Sequence, residues 1–148
     1  MSSISKTMVL DTSVIGKLYV DEEYSKEMKE LLVQGHEEDV TFKASELLFF
    51  ELGNVIWKRH QGKKDSGAES LIRSYLLPLE KVSLEPEVSM DVLKIAHLYD
   101  ISFYDAVHVQ IAQSLGVKLV TEDRELKNKF DCAIGISEAL ESIGIQDQ

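Results

Sequence analysis

The chain has 148 residues, enough for one domain that buries roughly 68–70% of the surface its unfolded form exposes. Sixteen Lys and Arg against 26 Asp and Glu give a formal charge of −10, a field that repels nucleic acid at long range and favours basic partners. A lone cysteine, Cys132, excludes an internal disulfide and a cysteine metal site. No run approaches the ~18 apolar residues of a membrane helix, and the apolar run ending at Leu10 is too short for a secretory signal; a reduced, cytoplasmic protein is expected.

In chain order, TMVL at 7–10 reads as a strand. A helix at 21–34 opens on the capping acid Asp21 and closes at Gly35. VTF at 40–42 is a second strand, and 45–61 a helix ending at Gly62. A helix near 65–77 stops at Pro78, and KVSL at 81–84 gives a third strand. Pro86 then opens a helix to about residue 99, since proline suits a first turn. A helix at 103–115 closes at Gly116 and leads into VKLV at 117–120; a charged helix begins after Thr121, and AIGI at 133–136 is a weaker strand. Short strands alternating with longer helices, without hairpin signals, imply crossovers and a mostly parallel central sheet flanked by helices. The expectation is a single α/β domain over 1–148, with no repeat, low-complexity tract or linker.

In such sheets ligands bind beyond the carboxyl ends of the strands. Two runs, MVLDTS and KLVTEDREL, place Asp11 and Asp123 just past strand ends. Each acid has a bland reading. Asp11 can cap a helix beginning near Thr12, Glu122 and Asp123 suit a helix's first turn, and Asp105 stands at capping-box spacing from Ser102. Glu46, likewise, falls at a helix start. Glu51 is harder to explain. Within SELLFFELGNVIWKRH, Leu47, Leu48, Leu52, Val55 and Ile56 mark the buried face, and Glu51 projects inside that arc. A carboxylate there is costly unless paired, protonated or bound to metal, and no basic residue one turn away on that helix offers a partner. If Asp11, Glu51, Asp105 and Asp123 share one crevice, their charges raise one another's pKa, and a hard cation such as Mg²⁺ resolves the conflict. The chemistry that follows is metal-assisted phosphoester hydrolysis, with Ser13 and Thr121 placed to orient a carboxylate or a bound water.

The segments MVLDTSVI, ELLFFELGNVIWK with Glu51 and Asn54, SFYDAVHVQIA with Asp105, and KLVTEDREL with Asp123 together resemble the four signatures of a PIN domain. They are most similar to the VapC ribonuclease toxins of toxin–antitoxin pairs. The resemblance runs in order from residue 8 to about 126 and implies a PIN-like fold. It also implies that Asp11, Glu51, Asp105 and Asp123 form an acidic quartet that holds Mg²⁺ or Mn²⁺ and cuts RNA. On that pattern Asp11 and Asp105 are the most direct ligands, Asp123 completes or bridges the site, and Glu51 acts through water or on a second ion. Thr121 takes the usual hydroxyl position. Glu122 departs from the small residue common there, an extra acid with the potential to alter metal affinity. The resemblance further implies a homodimer and a cognate VapB-like antitoxin, for which the acidic charge suits a basic partner.

Other acidic pockets fit less well. A receiver domain would pair two acids after the first strand with a lysine after the last, and a haloacid-dehalogenase-like phosphatase would carry a second acid where Ser13 stands. The segment GKKDSG lacks phosphate-loop spacing. A catalytically silent PIN module that only binds a partner is the alternative from a different class, and its mark would be a missing acid. Substrate choice between RNA and DNA stays open, because the metal chemistry ignores the 2′-OH. His108, three residues after Asp105 on one helix, is within reach of the site, although a structural role is the plainer reading. Trp57 and the pair Phe49 and Phe50 follow core spacing and read as packing or dimer interface rather than stacking platforms. Phosphate contacts, if any, fall to Lys58, Arg59, Lys63, Lys64 and Arg124, with Lys127 and Lys129 beyond. So few cations predict weak, metal-dependent or target-selective binding.

Overall fold

A computed structural model describes residues 6–59, 69, 73 and 77–145. The helix expected near 65–77 lies largely outside the described residues, as do Lys63, Lys64 and the side chain of Arg59.

Five parallel strands form one sheet in the order β3-β2-β1-β4-β5: β1 (Thr7–Leu10), β2 (Thr41–Ser45), β3 (Leu79–Val82), β4 (Lys118–Val120) and β5 (Ala133–Ile134). Both faces of the central strands β1 and β4 are covered, so these two read as apolar runs, whereas β2 (TFKAS) alternates and the edge strand β3 (LEKV) is partly exposed. Met8, Leu10, Phe42, Ala44 and Val120 pack on one side with α1 (Thr12–Gly16), α2 (Ser25–Glu37) and α7 (Ile136–Ile145). Val9 and Leu119 pack on the other with α5 (Phe103–Leu115) and α6 (Arg124–Lys129). A single 3₁₀ turn, Pro86–Val88, leads into α4 (Ser89–Tyr99), which lies against α5. From β1 the chain steps outward to β2 and β3, then returns across the sheet to β4 at the other side of β1. The order reverses between β1 and β4, and at such a switch point α/β sheets open a ligand crevice. Among the described residues no helix is long and apolar enough to cross a membrane.

The differences from the sequence reading have local causes. Helix α2 begins at Ser25, not at Asp21. Tyr24 turns left-handed (φ 69°) just before it, and Ser25 Oγ accepts from Glu22 N and donates to Val20 O, closing the loop that Asp21 was expected to end. Gly35 does not stop that helix. It lies inside α2 with Phe42 so close that an added Cβ would meet the ring at 2.4 Å. Glycine is there because the strand beneath leaves no room. Strand β2 runs on to Ser45, so α3 (Leu48–Arg59) starts three residues later than expected, and Glu46 is not at its start; its carboxylate accepts from Leu84 N. Strand β3 lies two residues before its expected place, paired to β2. Residues 133–136 supply only a two-residue strand, because Ile136 already opens α7, a helix with no counterpart in the sequence reading.

Helix α3 is apolar around most of its circumference, yet the protein covers one side of it. Leu48, Leu52 and Ile56 are buried and Phe49 packs on the core. Phe50 is 79% exposed and Trp57 60% exposed, so neither packs in this chain's core, against the core-spacing reading. Val55 is also partly exposed, outside the buried face assigned to it.

Candidate active site

Asp11 ends β1 in extended conformation and caps α1. Its Oδ1 accepts from Val14 N at 3.1 Å and from the Ser13 hydroxyl at 2.6 Å. Asp123 does the same work beyond β4: its Oδ1 accepts from Leu126 N at 3.1 Å, and its own N–H donates to Thr121 Oγ1 at 3.1 Å. The bland capping reading is therefore true of both acids, and the cap is what fixes each carboxylate's direction. Asp105 occupies the first turn of α5, where the Ser102 hydroxyl accepts from its N–H.

Glu51 finds partners on other elements. Thr12 Oγ1 donates to its Oε1 at 3.0 Å, and His108 Nε2 stands 3.5 Å from the same oxygen. The i+3 spacing of His108 from Asp105 brings both into the cleft, and burial to 3% exposure leaves the imidazole facing acids rather than water. Its Nδ1 meets no hydrogen-bond partner among the described residues. Burial opposes its charge, but the Glu51 hydrogen bond and the charges of Asp11, Glu51 and Asp105 outweigh that and hold its pKa above the usual 6.5.

Asp11, Glu51, Asp105 and Asp123 all line one cleft of about 950 Å³. Burial raises the Asp105 carboxyl above its ordinary pKa, and the charges of Asp123 and Asp11 push the same way against the Ser102 hydrogen bond and His108. Asp105 thus feels the charges of Asp123 and Asp11 across the cleft. The donor set is all oxygen, which fits a hard cation bound by one or two carboxylates and otherwise by water. Among the described residues no three His, Cys, Asp or Glu already converge as a ligand cage.

Neighbouring residues are partly committed elsewhere. Glu122 turns to α7: its Oε2 accepts from Ile136 N at 2.6 Å and its Oε1 from Lys127 at 3.3 Å. Lys127 is thereby occupied, as is Lys129, which donates to Glu125 and to Tyr99 O. Arg124 is exposed beside Asp123, and exposed Lys58 borders a depression that shares Thr12 and Ser13 with the cleft. Cleft-lining residues to which the sequence reading gave no place in the site include Thr12, Lys17, Glu22, Phe50 and Tyr104. Lys17 is ion-paired with Glu22 at 3.3 Å; only its position after a short helix could have pointed to it.

The PIN domain family profile matches residues 8–129. Ribonuclease VapC3 of Pyrobaculum aerophilum is 30% identical over 131 residues, covering 86% of this chain and 97% of its own. Exonuclease VapC9 of the same organism is 36% identical over 101 residues, 68% of this chain and 75% of its own. The solved structure of PAE2754 from Pyrobaculum aerophilum superposes with a TM-score of 0.72 at 24% identity, over 97% of this chain and 99% of that one, a likeness of fold. A profile match across most of the length, with a relative covered almost end to end, makes this chain a member of the PIN domain family.

Proposed function

We propose that the protein is a Mg²⁺- or Mn²⁺-dependent endoribonuclease of VapC type, the toxin half of a toxin–antitoxin pair. The observation that carries this reading is the gathering of Asp11, Glu51, Asp105 and Asp123 in one cleft at the switch point of the sheet. A relative named ribonuclease VapC3 supports RNA as the substrate. In this reading Asp11 and Asp105 are the direct ligands, each aimed by its local hydrogen bonds. Asp123 completes the set, and Glu51, held by Thr12 and His108, acts through water or a second ion. Bound in the cleft, the cation supplies charge neutralisation on the phosphoryl oxygens and a lowered pKa for the attacking water. Ser13 and Thr121 keep their acids in register. The same reading places the protein in the cytoplasm, as a homodimer silenced by a basic VapB-like antitoxin.

Purified protein is incubated with single-stranded and tRNA-like RNAs in Mg²⁺, Mn²⁺ or EDTA, beside Asp105→Asn. The expected result is cutting with metal that disappears in EDTA and in the variant. A circular RNA is included because one relative is named an exonuclease: cutting of the circle supports an endonuclease, and its survival beside degraded linear RNA overturns that mode. Intact RNA in every metal condition overturns the nuclease reading.

A further inference from the structure

On each of two helices an aromatic residue directly precedes a cleft acid: Phe50 before Glu51 on α3, and Tyr104 before Asp105 on α5. Successive helical residues are rotated by about 100°. The pairing can therefore send the acid inward while the aromatic stands at the rim. All four residues line the cleft, and the exposures differ as that geometry requires. Phe50 is 79% exposed and Tyr104 56%, while the Glu51 side chain is 27% exposed. Trp57, two turns beyond Phe50, continues the same face outside the cleft.

Large aromatics exposed around a polar cleft have no core to fill, and they need a ligand with apolar faces. Among the described residues the cleft lining is mostly acidic where it is charged, and the lysine there, Lys17, is paired with Glu22. Phosphates alone would bind poorly to such a surface, since their affinity comes from cations. Unpaired bases would bind well, because every base has a face that stacks on an aromatic ring, without regard to sequence.

We propose that Phe50 and Tyr104 form a two-sided stacking platform that takes unpaired bases flanking the scissile phosphate. The inference rests on the nuclease reading for its substrate, but the platform can be tested apart from cleavage.

The test uses full-length protein in EDTA and a single-stranded oligonucleotide carrying 2-aminopurine, whose fluorescence is quenched on stacking. Wild type is compared with Phe50→Ala, Tyr104→Ala and the ring-retaining Phe50→Tyr and Tyr104→Phe; the same oligonucleotide with abasic positions is the second probe. The expected results are quenching by wild type and by the ring-retaining variants, with affinity lower by about 5- to 150-fold per alanine substitution. Abasic RNA and duplex RNA bind more weakly than the intact single strand. In cleavage assays with Mn²⁺ the larger part of the alanine loss falls in KM. Unchanged quenching and KM in both alanine variants overturn the platform, and if those variants instead lose self-association the rim is a protein contact. Quenching without cleavage under any metal would leave the platform standing and remove the nuclease reading; cleavage without quenching or a KM effect would do the reverse.

Discussion

His108 and Glu51 form the most informative pair for a stability experiment, because one partner is buried and the other is half in the cleft. Removing one member of a fully buried ion pair costs about 3–5 kcal/mol. Here the Glu51 side chain is 27% exposed and keeps the Thr12 hydrogen bond at 3.0 Å, so most of that penalty is relieved by water and by the hydroxyl. The coupling between the two residues is then about 1–2 kcal/mol, within the range for contacting neighbours. A double-mutant cycle of Glu51→Gln and His108→Leu, read by urea unfolding in EDTA, measures it. The pH dependence has a definite sign. The folded pKa of His108 is raised above 6.5, so its stabilising contribution is fully present below the unfolded value and disappears as pH rises through the folded one. Coupling should be largest near pH 6 and fall by pH 9 to the small residue expected of a neutral hydrogen bond, about 0.5 kcal/mol. Equal coupling at the two pH values, or an increase with pH, would refute an imidazolium–carboxylate interaction.

Glu122→Gln should lower stability by about 1–2 kcal/mol, because it removes a charge-assisted bond to Ile136 N at the start of α7. The Mn²⁺ concentration for half-maximal cleavage should stay within about twofold of wild type, and a large shift would return Glu122 to the metal site. Gly35→Ala gains about 1 kcal/mol of helix propensity but overpacks Phe42 at a cost of about 1–3 kcal/mol. A lower Tm is expected in a thermal scan, and a higher one would mean that the ring yields freely. The logarithm of KM against that of salt concentration should have a slope shallower than about 3, since few cations flank the cleft among the described residues; a steeper slope would require a basic surface beyond them.

How much of this was legible in the sequence varies with the range of the interaction. The sheet class followed from apolar runs and their spacing, which depend on the chain's local pattern, and Ser102 and Gly116 marked the two ends of α5 through local capping chemistry. The acids at the ends of β1 and β4 were legible for the same reason. Gly35 misled because its meaning is tertiary: its neighbour Phe42 belongs to the next strand, and glycine's usual role at helix ends offered a local explanation instead. Glu51 was rightly seen as anomalous, but its partners Thr12 and His108 are 39 and 57 residues away along the chain, beyond any reading of one helix. Phe50 and Trp57 satisfied core spacing on a helix that has more apolar faces than the protein has sides to cover. The helix α7 was hidden behind an apolar run that serves first as strand and then as helix. Its apolar residues Ile136, Ala139 and Ile143 do carry the helical period.

The double service of Asp11 and Asp123 allows the fold and the chemistry to be separated experimentally. Each commits Oδ1 to a backbone N–H of the helix it caps, and each residue also lines the cleft. Asparagine caps a helix about as well as aspartate, whereas alanine costs about 1 kcal/mol. Asparagine also removes a negative charge from a cleft where Asp11 and Asp123 both raise the pKa of Asp105. In the absence of metal, and at a pH high enough that His108 is neutral and no longer draws on the Asp11 charge, Asp11→Asn and Asp123→Asn should therefore unfold at the wild-type urea concentration or slightly above it, and the two alanine variants below it. All four should lose cleavage. Stability that falls equally with asparagine and alanine would mean that the carboxylate charge itself holds the fold. A stable asparagine variant that has lost activity would mean that the charge is kept at these two strand ends for the ligand, at some expense to the metal-free protein.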